Sequence, residues 1–355
     1  MRKLFPRLAR SLSAVPVALL AAPLALFPAL AHAELYITIV QGLGGMPEYT
    51  EEFDEVRAKV AAASVTLTSE ERVFTFSGDG ATREALLAHF KMLEERMGDD
   101  DRAAVYLIGH GSFDGEEYKY NIPGPDLTTT DLKGVLEALP GQNHVLITTG
   151  STSGALAEGI TGVRAPRDET DTRAVEEATK TPSKYLIVAA TRNGNERNAT
   201  HFGRFFAEAL VSPEADLNKN ETISVQEAYD YAARKVEDYF TSESRLATEH
   251  AQLRGEGAAQ FSLSRLNALE YESDDPELGE LLEQRIALDS QIEELQLRRN
   301  EFASNREYLQ ALQALVLKSA QLTEQIDAAR AEAGGAPAQP APGQQRIIDE
   351  VDRAR

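Results

Sequence analysis

Two strand ends in this 355-residue chain carry residue types suited to acyl chemistry. The apolar run Tyr106-Leu107-Ile108 stops abruptly at Gly109-His110-Gly111-Ser112. In parallel sheets the carboxyl ends of strands open into the crevice where sites are built. A glycine beside the histidine permits a sharp turn and leaves an N–H unobstructed for a developing oxyanion. One strand later, His144-Val145-Leu146-Ile147-Thr148 runs into Thr149-Gly150-Ser151-Thr152-Ser153-Gly154. A hydroxyl at one strand end and an imidazole at the next make a nucleophile–base pair if the strands are neighbours. The same residues read equally as turn and helix-cap chemistry. The segment is not a nucleophile elbow, because Thr152 and not serine stands between Gly150 and Gly154, and the histidine precedes the serine.

A second motif runs from Asp216 to Glu227. Oxygen side chains at Asp216, Asn218, Asn220 and Ser224, apolar Ile223 and a final Glu227 fall at the ligand spacing of a calcium loop. Glu221 stands where such a loop needs glycine, and two asparagines lower its charge. A polar turn leading into a helix capped by Ser224 and Glu227 is the competing reading. Gln41-Gly42-Leu43-Gly44-Gly45-Met46-Pro47 fails as a dinucleotide fingerprint, since proline falls on the third glycine. It reads as a turn into a helix begun by Pro47. His89, His201 and His250 have no zinc spacing and read as solvated or core-edge histidines.

Composition narrows the chemistry. The chain has no cysteine, which excludes disulfides, thiolate metal sites and a cysteine nucleophile. A net charge of −21, with 36 basic and 57 acidic residues, argues against a nucleic-acid partner. Residues 1–33 have the form of a signal peptide: a basic start with Arg2, Lys3, Arg7 and Arg10, an apolar run, and Ala31-His32-Ala33 at the cleavage position. Pro16, Pro23 and Pro28 interrupt the run, so the expectation is an exported protein, periplasmic or secreted, with no stable membrane span after cleavage. Cleavage takes the net charge from −21 to −25.

The elements that must position these residues alternate. Near-continuous apolar runs at Leu35–Val40, Val73–Phe76, Ala104–Ile108, His144–Thr148 and Tyr185–Ala190 read as strands buried on both faces. Helical patterns fall between them at Tyr49–Ala62, Thr82–Met97, Thr130–Leu139, Thr200–Leu210 and Ser224–Tyr239, with Thr130 and Asp131 as candidate caps for the third. The expectation is a three-layer α/β/α domain over 34–270 with a mainly parallel sheet. Thr161–Ser183 reads as an insert loop. Residues 271–332 carry three–four spaced apolar positions in two sets, Leu278 to Leu295 and Tyr308 to Ile326, broken at Ala303-Ser304-Asn305. That predicts an antiparallel helical hairpin or coiled-coil pair, whose seam packs on its own arm, on the α/β domain or on a second copy. Residues 333–355 read as a Pro/Ala/Gly linker and a charged tail.

A strand ending in His-Gly, followed by one ending in small–nucleophile–x–Ser-Gly, resembles the caspase-like peptidases, and legumain and its relatives most closely. Over Leu35–Tyr239 the strand order matches, although only these two motifs are sharp. The resemblance implies a caspase-like fold with a histidine–cysteine dyad and an oxyanion glycine. The family histidine falls on His110 and the oxyanion glycine on Gly111. The family's Ala-Cys-x-Ser-Gly falls on Gly150-Ser151-Thr152-Ser153-Gly154, so Ser151 holds the place of the cysteine nucleophile. Residues Ala190-Thr191-Arg192-Asn193-Gly194 lie where such proteins build a substrate pocket, which nominates Arg192 and Asn193. A thiol with a pKa near ~8.5 ionises readily beside histidine, whereas a serine needs a base oriented by a third group. No third group is evident from spacing. The expectation is therefore a pseudopeptidase that binds a peptide or protein partner. The alternatives are an active hydrolase with Ser151 as nucleophile and His110 as base, and a calcium-stabilised structural module.

Overall fold

The computed structural model describes residues 33–141, 143–164, 185–266 and 275–332. The expected signal segment up to residue 32, the insert from 165 to 183 and the tail 333–355 lie outside the described residues. The first strand, β1 (Leu35–Gln41), is buried along its whole length, as its near-continuous apolar run predicts. Helix α1 (Pro47–Ser64) follows, with proline in its first turn. Next come β2 (Val73–Phe76), α2 (Arg83–Arg96) and the fully buried β3 (Arg102–Ile108). Three short strands, β4 (Gly111–Phe113), β5 (Tyr118–Tyr120) and β6 (Leu127–Thr128), then form an antiparallel sheet of their own. Helix α3 (Thr129–Ala138), β7 (His144–Thr148), α4 (Ser153–Thr161) and β8 (Tyr185–Ala189) continue the alternation. The domain ends with α5 (Phe202–Ala209), β9 (Thr222–Ser224), α6 (Val225–Ser242), β10 (Gln252–Arg254) and β11 (Ser262–Arg265).

Six strands form the central sheet in the order β10-β8-β7-β3-β1-β2. All neighbours are parallel except β10, which pairs antiparallel with the edge of β8. This is the expected three-layer α/β/α architecture. Alternate strand residues feed two separate cores. Ile37, Ile39, Tyr106, Ile147 and Val188 pack towards α1, α5 and α6. Val40, Val105, Leu107, Leu146 and Ile187 pack on the other face towards α2, α3 and α4. Because β3 and β7 are neighbours, with Leu107 opposite Thr148, the two strand ends singled out by sequence emerge side by side.

Caps fix the helix starts. Thr82 accepts from the Ala85 N–H at α2. The cap of α3 is Thr128, not Thr130: its hydroxyl accepts from the Asp131 N–H, and the Asp131 carboxylate returns the bond to the Thr128 N–H. Arg83 from α2 grips that same carboxylate with two bonds of 2.8 and 2.6 Å, which joins the two helices.

Two long helices, α7 (Pro276–Leu297) and α8 (Asn305–Glu332), close the chain as an antiparallel hairpin. Leu278, Leu282 and Leu288 meet Leu322 and Ile326 at one end, and Tyr308 and Leu312 meet Ile292 and Leu295 at the other. The apolar seam is thus closed by its own arm. The outer face of α7 docks on the α/β domain. Glu293 accepts from the guanidinium of Arg102, the first residue of β3, at 2.5 Å and from the Ser262 N–H at 3.0 Å. Arg102 starts a strand whose far end carries His110, so the hairpin sits at the end of the sheet opposite the two motifs. Among the described residues no helix is long and apolar enough to cross a membrane.

Candidate functional site

The loops at the carboxyl ends of β1, β3 and β7 are bound to one another through their backbones. The Gly42 N–H donates to the Ile108 carbonyl at 2.9 Å, and the Thr149 N–H donates to Leu107 at 3.0 Å. The Asn121 N–H donates to the His110 carbonyl at 3.1 Å, which fixes the histidine's backbone on the small antiparallel sheet. The buried Tyr120 hydroxyl lies 2.9 Å from both the Val40 and Ile108 carbonyls. Two glycines are demanded by contact. A Cβ on Gly111 would come closer than 3.0 Å to the ring of Tyr118, which is wholly buried. A Cβ on Gly150 would meet the Gly109 carbonyl oxygen equally closely and press on the Gly111 nitrogen. The glycine pattern at these strand ends therefore lets three loops touch, and it brings Ser151 against Gly111.

The expected dyad residues share this edge, but they are not hydrogen-bonded to each other. The Ser151 hydroxyl, buried with its residue at 6% exposure, donates to the Gly111 carbonyl at 3.4 Å. The His110 ring instead faces α1. It meets Tyr49 edge-on with centroids 4.8 Å apart, and Phe53 at 5.1 Å. Burial lowers its pKa, partly offset by the Gly44 carbonyl, so the charged form of the ring is disfavoured. Gly111 itself begins β4, opposite Tyr120. Thr152 adopts a left-handed φ of 58°, the sharp turn that starts α4 directly after Ser151.

The loop after β8 reaches the same place. The Thr152 N–H donates to the Glu196 carbonyl at 2.8 Å, and the Thr200 hydroxyl donates to the Thr149 carbonyl. Arg192 is fixed through its backbone: its N–H donates to the Glu196 carboxylate at 2.8 Å and its carbonyl accepts from Gln252 at 2.9 Å. The Asn193 side chain accepts from the Asn195 N–H at 2.9 Å, so its oxygen shapes its own turn. Both residues are half-buried beside the Ser151 turn.

Sequence reasoning missed an imidazole–carboxylate pair at this wall. His250 Nδ1 lies 2.6 Å from Glu196, and the His250 N–H donates to the same carboxylate at 3.0 Å. Next to it, Glu249 accepts from the N–H groups of His201 and Phe202, the first turn of α5. Burial, with repulsion from Glu196 and Glu52, raises its pKa to about 7. No spacing links residues 54 or 47 positions apart, and the only hint was a polar run after β8.

Four of the five calcium-loop side chains are engaged with the chain, and the fifth, Asn218, buries its Oδ1 with no partner among the described residues. Asp216 accepts from the N–H groups of Asn220 and Glu221, and Asn220 accepts from Thr222. Glu227 accepts from the N–H groups of Leu217, Asn218 and Ser224 and from the Ser224 hydroxyl at 2.7 Å, which completes the capping box of α6. Asn218 lies among the groups lining a cavity at the hairpin end of the sheet. Glu221 occupies the expected glycine position with a φ of 65°. Among the described residues no group of three or more histidines or carboxylates is disposed to hold a metal ion. The other histidines divide: His144 Nδ1 accepts from the Ala103 N–H, and buried His89 bonds Thr38 at 2.8 Å with its pKa lowered to about 4 by burial.

Neither a protein-family model nor a curated protein matches the chain. Among solved structures it is similar to protein GSU0716 from Geobacter sulfurreducens, with a TM-score of 0.40 and 13% identity over 62% of this chain and 92% of that one. It is also similar to caspase-1 from Spodoptera frugiperda, with a TM-score of 0.36 and 13% identity over 63% of this chain and 87% of that one.

Proposed function

We propose that this chain is an exported caspase- and legumain-like protein without peptidase chemistry, which binds a peptide or protein segment in the crevice between β3, β7 and the loop after β8. The observation that carries this reading is the direction of the Ser151 hydroxyl, which serves the Gly111 carbonyl while His110 packs edge-on against Tyr49 and Phe53. A serine nucleophile needs its base within hydrogen-bond reach, and hydrolysis here would require both groups to leave these partners. The crevice nevertheless keeps what recognition of an extended chain uses. The backbone of Arg192 and Asn193 runs against Gly154 at the start of α4, and the Ser151 N–H has no acceptor among the described residues. Calcium in the Asp216–Glu227 loop is no part of this reading, because the Asp216 and Glu227 carboxylates already accept from the chain.

The test pairs turnover with binding. The full chain is incubated with a mixed peptide and ester library, and retention of labelled peptides is measured by fluorescence anisotropy. The expected result is no hydrolysis above that of Ser151→Ala, saturable peptide binding, and weaker binding in Arg192→Ala. Turnover that Ser151→Ala abolishes would establish the hydrolase instead, with Ser151 as nucleophile and His110 as base.

A further inference from the structure

Cleavage of the leader after Ala33 leaves Glu34 as the first residue, and the fold holds that residue from three sides. Glu34 stands one position ahead of β1, where its carbonyl accepts from the Arg102 N–H at 2.9 Å and so extends the β1–β3 pairing. Its carboxylate pairs at 2.8 Å with Arg72, the residue before β2. Its N–H donates at 2.8 Å to the carboxylate of Asp101, the residue before β3. The other Asp101 oxygen accepts from the Gly98 N–H at 2.9 Å. Glu34 and Asp101 are both half-buried.

The partners of Asp101 are both backbone N–H groups, and among the described residues no cationic side chain pairs with it. Its neighbour Asp100, by contrast, has Arg298 at 3.0 Å. Asp101 also follows the carboxyl end of α2, where the helix dipole favours a cation over an acid. The atom placed to supply that charge is the Glu34 nitrogen. It is an uncharged amide while the leader is attached. Hydrolysis of the Ala33–Glu34 bond breaks C–N with one water: Ala33 leaves as a carboxylate, and the Glu34 nitrogen takes the protons and becomes an ammonium. This is the bond that Ala31-His32-Ala33 marks. We propose that leader removal at this bond is a maturation step for the fold, in which the freed α-ammonium of Glu34 ion-pairs with Asp101 and ties the start of β1 to the start of β3. The proposal rests on the export reading. A hydrogen bond between two charged groups is roughly twice as strong as a neutral one, so the same contact tightens once the leader is gone. A chain that keeps one residue more puts an amide back at this position and moves the charge about 3.5 Å along the chain.

The chain is expressed with its leader in an exporting host, and the first residue of the exported protein is read by N-terminal sequencing. Competitive acetylation across a pH series, read by mass spectrometry of the N-terminal peptide, then titrates the terminal amine. The expected start is Glu34, with its amine titrating above about 8.5 and not at the ordinary α-amine value of roughly 7.7–8.0. Asp101→Asn, which keeps the shape and an acceptor oxygen, should return the amine to that ordinary range. A serine inserted between Ala33 and Glu34 keeps the cleavage motif and carries the amine away from Asp101, which should lower Tm by about 1–4 °C. In Asp101→Asn the same insertion should change Tm by less than about 1 °C, since the pair it would break is already gone. Because the amine's pKa is raised on folding, the Tm difference between parent and insertion is full below pH ~7.7 and is lost as pH rises through the raised value. A chain kept inside the cell with its leader overturns this proposal and the export reading together. The proposal alone is overturned by export with a first residue other than Glu34, by a Glu34 amine titrating in the ordinary range, or by an insertion that acts equally in the parent and in Asp101→Asn.

Discussion

Replacing Gly150 by alanine probes the contact on which the candidate site depends. The added methyl would sit closer than 3.0 Å to the Gly109 carbonyl oxygen and 3.1 Å from the Gly111 nitrogen. Both are backbone atoms, and Gly111 is itself pinned by the buried Tyr118 ring, so neither side yields cheaply. Overpacking of this kind costs about 1–3 kcal/mol. For a domain of this size each kcal/mol moves Tm by about 2–4 °C, so a fall of roughly 3–10 °C is expected by calorimetry. Any relief must widen the gap between the Ser151 turn and Gly111, so peptide affinity should fall with stability. Gly134→Ala is the matched control. Gly134 lies exposed within α3 with nothing within 4 Å of its added methyl. There the same change removes only helix-opposing backbone freedom and should stabilise by about 0.5–1 kcal/mol. A Gly150→Ala chain melting within a degree of the parent would refute the close approach of the strand ends.

Four further outcomes follow from the structure. Glu227→Ala removes the capping box of α6 and leaves the N–H groups of Leu217 and Asn218 without their acceptor, which should cost about 2–4 kcal/mol in chemical denaturation. Millimolar calcium should leave the parent Tm unchanged, since these oxygens already accept from the chain, and a rise lost in Asp216→Asn would assign the loop to the ion. The pH profile contains two opposed slopes. Glu249, raised from 4.5 to about 7, contributes stability that is full below pH 4.5 and lost as pH rises through 7. His89, lowered from 6.5 to about 4, contributes stability that is full above 6.5 and lost as pH falls through 4. Each is worth about 3 kcal/mol, so the parent should be nearly flat between pH 5 and 6.5, and Glu249→Gln should expose a rise with pH. Finally, Glu293→Ala leaves Arg102 buried without its partner and should cost about 3–5 kcal/mol, with faster proteolysis within α7 and α8.

Much of the fold could be read from apolar runs, and the reason is physical. Strands buried on both faces announce themselves as continuous hydrophobic segments, and β2 and β7 have the expected bounds while β1, β3 and β8 differ by one or two residues. The short antiparallel strands β4, β5 and β6 were not legible, because two or three residues carry no period. Helix α4 was hidden for a related reason: Ser153–Thr161 is small, apolar on most sides and packed between layers, so it lacks an amphipathic stripe. At the site, neighbouring strand order was enough to place His110 and Ser151 on one edge. Their orientation was not readable, since it depends on Tyr49 and Phe53 from α1 and on the Gly111 carbonyl. The Glu196–His250 pair is joined only by tertiary structure, and no local pattern could have marked it.

The seat of Glu293 against Arg102 and Ser262 has a consequence for the order in which the chain can be completed. The two ends of that ion pair are 191 residues apart, and the acidic one is made after the basic one. Until α7 has emerged, the first residue of a central strand carries a charge that the finished domain buries. The sheet can gather its apolar strands before then, but its base stays open to water. A chain cut short before Glu293 would hold the crevice residues and still lack the counter-charge that lets β3 close. Docking of the α7–α8 hairpin therefore supplies the counter-charge for the base of β3.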